Sequence, residues 1–243
     1  MIMRLLKVAL KRETAMPVLA LTFASGVCVS LVLARVVWTG RFHYAFLLWN
    51  LFLAWLPLVF ALLANDEYRN APRRTWRFHV LTVAWLLFLP NATYIFTDLI
   101  HLMSRYFSHF WVDLVLILSC AVTGLVLSFL SLYLMQRIVA RVFGWLASWL
   151  FIAIAAGLSG FGIYLGRFLR FNSWDVLFQP IKLYQGIGQW ASDPLANSTS
   201  FAFPFLFATF LFIAYVMLYG LTHLQPGVAH ETRAVMPGAQ VIT

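Results

Sequence analysis

A chain of 243 residues with 63% hydrophobic and only 10% charged side chains is neither a water-soluble domain nor a disordered one. Soluble domains hold roughly 45–50% apolar and about 25% charged residues, and a core of this size leaves much of the chain at the surface. The net charge of +9 does not point to nucleic acid, because the basic residues flank apolar stretches and form no basic face.

A helix crosses the ~30 Å hydrocarbon layer with about 20 apolar residues. Six stretches reach that length: Met16–Ala34, Tyr44–Ala64, Phe78–Phe96, Trp111–Tyr133, Gly144–Gly166 and Phe201–Thr222. Lipid offers no partner for an open backbone, so all six are predicted helical. The expected fold class is all-α, a polytopic membrane protein of about six spans. Residues 1–15 read as a basic cytoplasmic N-terminus, 16–222 as the transmembrane domain, and 223–243 as a cytoplasmic tail expected to be flexible. Arg4, Lys7, Lys11 and Arg12 precede the first span as in a signal peptide, but its apolar run exceeds the usual ~7–15 residues, and it reads as a retained span.

The N-terminus, the second and fourth connectors and the tail carry eleven Lys and Arg; the first, third and fifth connectors carry six. The richer side is expected in the cytoplasm together with both termini. Trp38, Trp76, Trp111, Trp145, Trp174 and Trp190 fall near span ends, as an aromatic belt does. Cys28 and Cys120 lie inside apolar runs and read as buried small residues, with no disulfide or zinc spacing.

Candidate site residues collect toward the odd-numbered connectors. Asn50 lies about two turns inside the second span, where a lone amide either joins helices or belongs to a site. Pro90 lies inside the third span and is expected to kink or break it. Continued as an α-helix, Asn91, Tyr94, Asp98, His101 and Arg105 share an arc of about 80°. That stripe suits either an interfacial helix facing water or a site lined by a broken helix. Asp113 opens a small-residue face formed with Cys120, Gly124 and Ser128, and suits a boundary salt bridge or a shared polar site.

In the fifth span, Ala156, Gly160, Gly162 and Gly166 predict close packing with a neighbouring helix, and weakly with a second copy of the chain. Arg167 and Arg170, read as sharing one helix face, suit an anionic group or lipid phosphates. Asn172, Ser173 and Asp175 suit a turn or helix cap just outside the membrane. Asp98 and His101 are the candidates for proton transfer, with Asp113 or Asp175 in support. The same four side chains offer oxygen and nitrogen ligands, but an Asp-x2-His spacing alone is weak evidence and no metal site is assigned. The substrate-binding candidates are Asn50, Asn91, Tyr94, Arg167, Arg170 and Asn172. No P-loop, dinucleotide fingerprint, nucleophile elbow or HExxH is present, and the cofactor stays unknown at this point.

The stretch Trp85-Leu-Leu-Phe-Leu-Pro-Asn-Ala-Thr-Tyr-Ile-Phe-Thr-Asp98-Leu-Ile-His101-Leu resembles the hallmark of a bacterial multipass family, domain of unknown function 1361. Gly162-Ile-Tyr-Leu-Gly-Arg-Phe-Leu-Arg170-Phe-Asn-Ser-Trp-Asp175 resembles its second hallmark. The likeness covers about residues 40–225, with Thr93 where the family often has Pro and Phe171 where it often has Trp. It implies a bacterial inner-membrane protein and lends no activity. The expected function is a membrane-embedded enzyme acting on a lipid or lipid-linked anionic substrate. The alternatives are an ion- or proton-coupled transporter and a non-catalytic scaffold. The expected partners are membrane lipids.

Overall fold

The computed structural model describes residues 2–11, 14–70, 75–102, 109–192 and 198–222. Arg12, Arg73, Arg74, Arg105 and the tail, with His223, His230 and Arg233, lie outside the described residues, as does the side chain of Arg4. Among the described residues there are α-helices and one 3₁₀ segment, and no strand. The helices are α1 (Ile2–Ala9), α2 (Ala15–Thr39), α3 (Phe46–Asn70), α4 (Trp76–Tyr94), α5 (Phe110–Phe143), α6 (Trp145–Arg167), α7 (Asp175–Phe178), α8 (Pro180–Ser192) and α9 (Ser198–Thr222). The 3₁₀ segment, Ile95–Leu102, continues directly from α4.

Six helices are long and apolar enough to span a bilayer: α2, α3, α4 with its 3₁₀ extension, α5, α6 and residues Phe201–Thr222 of α9. Four contain the expected span whole, and α3 and α6 begin two residues and one residue after the expected starts at Tyr44 and Gly144. The largest difference is α5, whose 34 residues reach about 51 Å at 1.5 Å per residue, well beyond the hydrocarbon layer. Its extra turns carry Gln136, Arg137 and Arg141 out of the apolar run that ends at Tyr133.

Side-chain contacts fix the up-and-down order. At one end Arg35, Tyr44, Asp98, Asp113 and Arg167 come together in pairs. At the other end Lys11 meets Asp66 at 2.8 Å, and Thr75 donates to Glu67 at 2.9 Å. Asp66 and Glu67 are buried, two acids at the end of α3 that hydropathy counting passes over. The first, third and fifth connectors therefore share one rim, called the odd rim below.

α4 continues through Pro90 to Tyr94, so the proline does not break the helix; the α-geometry tightens to 3₁₀ only at Ile95. The fifth connector, for which the sequence predicts only a turn or helix cap at residues 172–175, folds into α7 and α8. Pro180 stands at the first position of α8, where its missing N–H costs nothing. Trp190 of α8 stacks on Phe201 at 4.1 Å and meets Phe161 at 5.1 Å, so it packs within the chain. Trp38, Trp76, Trp111 and Trp145 stand exposed at helix ends, as belt residues do.

α3 lies at the centre, packed on α4 and α5, and α6 pairs with α9. Leu47, Leu58, Trp85, Leu89, Ile117 and Leu127 are fully buried between these helices. Phe23 and Leu33 on α2, and Phe205 and Met217 on α9, stand exposed and meet lipid. Between membrane helices there is no hydrophobic driving force, so close packing carries the association. A Cβ at Gly124 would strike the Ala92 carbonyl oxygen, and one at Gly160 would strike the Pro204 carbonyl oxygen. Gly160, Gly162 and Gly166 of α6 thus meet neighbours within the chain.

Two glycines three residues apart separate packing from backbone entropy. Gly160→Val is expected to lower the unfolding free energy by about 1–3 kcal/mol, because the obstructing atoms are backbone. Gly157→Ala, with nothing within 4 Å of its Cβ, is expected to be neutral or stabilising. Unfolding of the purified protein in mixed micelles checks both.

Candidate functional site at the odd rim

The 3₁₀ geometry decides how Asp98 and His101 relate. In an α-helix, residues three apart are turned 60° from each other; in a 3₁₀-helix they eclipse. His101 accordingly lies over Asp98, with Nε2 3.9 Å from Oδ1. The Asp98 side chain is 2% exposed, whereas that of His101 is 39% exposed. Asn50 on α3 donates Nδ2–H to Asp98 Oδ2 at 2.8 Å. Arg167, the last residue of α6, brings Nη1 to Oδ1 at 3.4 Å. The His101 ring packs beside Phe46, with centroids 5.2 Å apart. A dry carboxylate needs a countercharge and a donor, and α6 and α3 deliver them here.

Asp113 is in a different group. Arg35 on α2 grips it with Nε at 2.6 Å and Nη2 at 3.2 Å, and Tyr44 donates its hydroxyl at 2.8 Å. Trp38 lies beside the guanidinium, 5.6 Å from ring centre to Cζ. Of the two sequence readings, the boundary salt bridge is the one this geometry matches. Arg35 and Tyr44 are the partners that residue counting missed. The available signal was a lone arginine inside the apolar run Leu31–Trp38, which must find an acid.

Asp175 is also engaged locally. Its Oδ2 accepts the Asn172 backbone N–H at 2.7 Å and lies 3.5 Å from Asn172 Nδ2, which closes the turn before α7. Asn91 donates to Ser173 Oγ at 2.8 Å, and Ser173 donates to the Leu87 carbonyl at 2.9 Å. These bonds pin the segment after α6 onto α4. Arg170 does not share a helix face with Arg167, because α6 ends at Arg167 and Arg170 is left-handed, φ 57°. The four acid–base candidates therefore divide into Asp98 with His101, Asp113 with Arg35, and Asp175 with Asn172. Among the described residues no three His, Cys, Asp or Glu side chains gather as a metal site would require.

Beside the Asp98 group lies a cavity of about 220 Å³ between α3, α4, α6 and the segment after α6. Its polar lining is Asn50, Asn91, Tyr94, Asn172 and Ser173. Trp49, Pro90 and Phe171 supply apolar wall. Asn50 belongs to both the cavity and the Asp98 group.

Truncating one partner of a buried ion pair strands the other charge, whereas replacing both with apolar residues is often neutral. Asp113→Ala is expected to destabilise the protein by about 3–5 kcal/mol. The double variant Arg35→Leu/Asp113→Leu should recover most of that loss, as read by unfolding in mixed micelles.

No curated protein and no solved structure matches this chain. A family model described as "Protein of unknown function (DUF1361)" matches residues 49–217. That range holds every candidate site residue except Arg35 and Tyr44, and it covers well over half of the sequence; the chain belongs to the DUF1361 family.

Proposed function

We propose that this protein is a membrane-embedded enzyme acting on a lipid or lipid-linked substrate at the odd rim. The observation that carries the reading is the pairing of a dry, fully partnered Asp98 with a part-exposed His101 beside a polar cavity. His101 is the group that takes and returns a proton. Asp98 is a positioning residue, which orients the imidazole and balances the charge when it is protonated. Asn50 and Arg167 hold the carboxylate still. The cavity receives the polar part of the substrate while its chains remain in lipid. The anionic clamp first expected from Arg167 and Arg170 has no support in their placement, since one faces Asp98 and the other lies beyond the helix end.

The odd rim is assigned to the extracytoplasmic face of the inner membrane, and both termini to the cytoplasm, on the Lys and Arg distribution. Reporter fusions after His43 and Gln185 should respond as extracytoplasmic, and one after Asn70 as cytoplasmic. The reverse pattern would invert the assignment.

A second reading has its own support. Asp98, Asp113 and Asn91 each bond a residue of another element, as a scaffold's fastening would. The two readings part at His101, which is exposed enough to be dispensable for folding. In a deletion strain, wild-type protein should restore a lipid or envelope-glycan species. His101→Gln protein, present at normal level, should lower its formation by about 10²–10⁴-fold. Full restoration by His101→Gln, with loss of the Asp98→Asn protein itself, would favour the scaffold. Identical profiles in all strains would end the enzyme reading.

A further inference from the structure

The cavity described above has a chemical character of its own. None of its lining side chains carries a formal charge. Of the nearby charges, Arg167 and Asp98 are paired with each other and Asp175 is held in the Asn172 turn; Arg170 and Lys182 adjoin lining residues in the chain but are exposed and do not line the cavity. A phosphate or an ammonium entering the cavity would lose water without meeting a countercharge in its lining, which is unfavourable.

The lining is suited to a different group. An amide offers both a donor and an acceptor, and so does a hydroxyl. Asn50 and Asn91 each spend an N–H inside the protein, on Asp98 and Ser173. Among the described residues their carbonyl oxygens accept no side-chain hydrogen bond. The Tyr94 ring packs on Gly166, 3.1 Å from the position of a Cβ there, so its hydroxyl can change without disturbing that contact. Trp49 and Phe171 add aromatic faces beside these polar atoms. Mixed donor–acceptor groups between aromatic surfaces match a ligand whose hydroxyls alternate with C–H faces. The volume, about 220 Å³, is below the roughly 300–1,000 Å³ of drug-sized pockets and suits one sugar-sized group. Trp49 is 55% exposed, so one wall of the cavity is a residue at the surface of the bundle.

We infer that this cavity binds an uncharged polyhydroxyl group, a glycosyl or glycerol head group carried on a lipid. The inference rests on the reading of the rim as a site for a lipid-linked substrate, and it names the class of that substrate's polar part. Asn50, Asn91, Tyr94 and Asn172 hold the hydroxyls, and Trp49 and Phe171 hold the ring face.

The test is native mass spectrometry of the full chain in an amine-oxide detergent, which carries no sugar. The probes are monoglucosyl diacylglycerol, phosphatidic acid and free glucose. The glucolipid should be retained at concentrations at least about tenfold lower than phosphatidic acid, a difference of about 1.4 kcal/mol. Tyr94→Phe should weaken glucolipid retention by about two- to tenfold, the worth of one hydrogen bond, and leave phosphatidic acid unchanged. Trp49→Leu should weaken it further. Free glucose bound as tightly as the glucolipid would support the hydroxyl chemistry and assign the ligand to a soluble source. Phosphatidic acid retained equally well, no glucolipid retained, or indifference to both substitutions would overturn the inference. If His101→Gln alters the envelope profile but the glucolipid is not held, this inference alone fails. If the glucolipid is held and His101→Gln changes nothing, the catalytic reading alone fails.

Discussion

Asp98 is a carboxylate with almost no contact with water, and the odd rim is built around that fact. An ion removed from water must gather donors and a countercharge from the protein. The donor comes from α3, through Asn50, and the countercharge from the last residue of α6, Arg167. The position of α6 relative to α3 and of the 3₁₀ segment relative to both is therefore tied to one side chain. His101 inherits its place from the same segment, since a 3₁₀ turn stacks it directly over the acid.

The two longest family-like stretches, residues 85–102 and 162–175, turn out to be two sides of one joint. Pro90 lies against Gly162, and the Tyr94 ring lies against Gly166. Asn91 bonds Ser173, and Asp98 pairs with Arg167. The glycines let the backbones of α4 and α6 approach, which is the membrane substitute for a hydrophobic driving force. The left-handed turn at Arg170 then folds the following segment back over α4. The cavity is what remains between these contacts and α3.

Charge is sorted at this rim. Ionised partners are locked in Asp98–Arg167 and Asp113–Arg35, while the cavity lining is neutral. Asn50 stands at the boundary, with its amide N–H on the carboxylate and its side chain in the cavity wall. A low-dielectric setting strengthens each satisfied pair and penalises each unsatisfied group, so segregation of this kind limits what the cavity can accept.

Hydropathy and length alone determine that this chain crosses a membrane, and where: every apolar run became part of a long helix, because lipid allows nothing else to a 20-residue apolar segment. The candidate residues were also legible as polar groups on apolar runs, and Asn50, Asp98, His101 and Arg167 do meet. Which of them pair was decided only by the fold. An α-helical projection cannot foresee that the segment after Tyr94 tightens to 3₁₀, and no local pattern brings Arg35 to Asp113 across 78 positions. Periodicity reports the face on which a residue lies; the partner of that face depends on how helices far apart in sequence pack, and that depends on where glycine and proline let backbones approach.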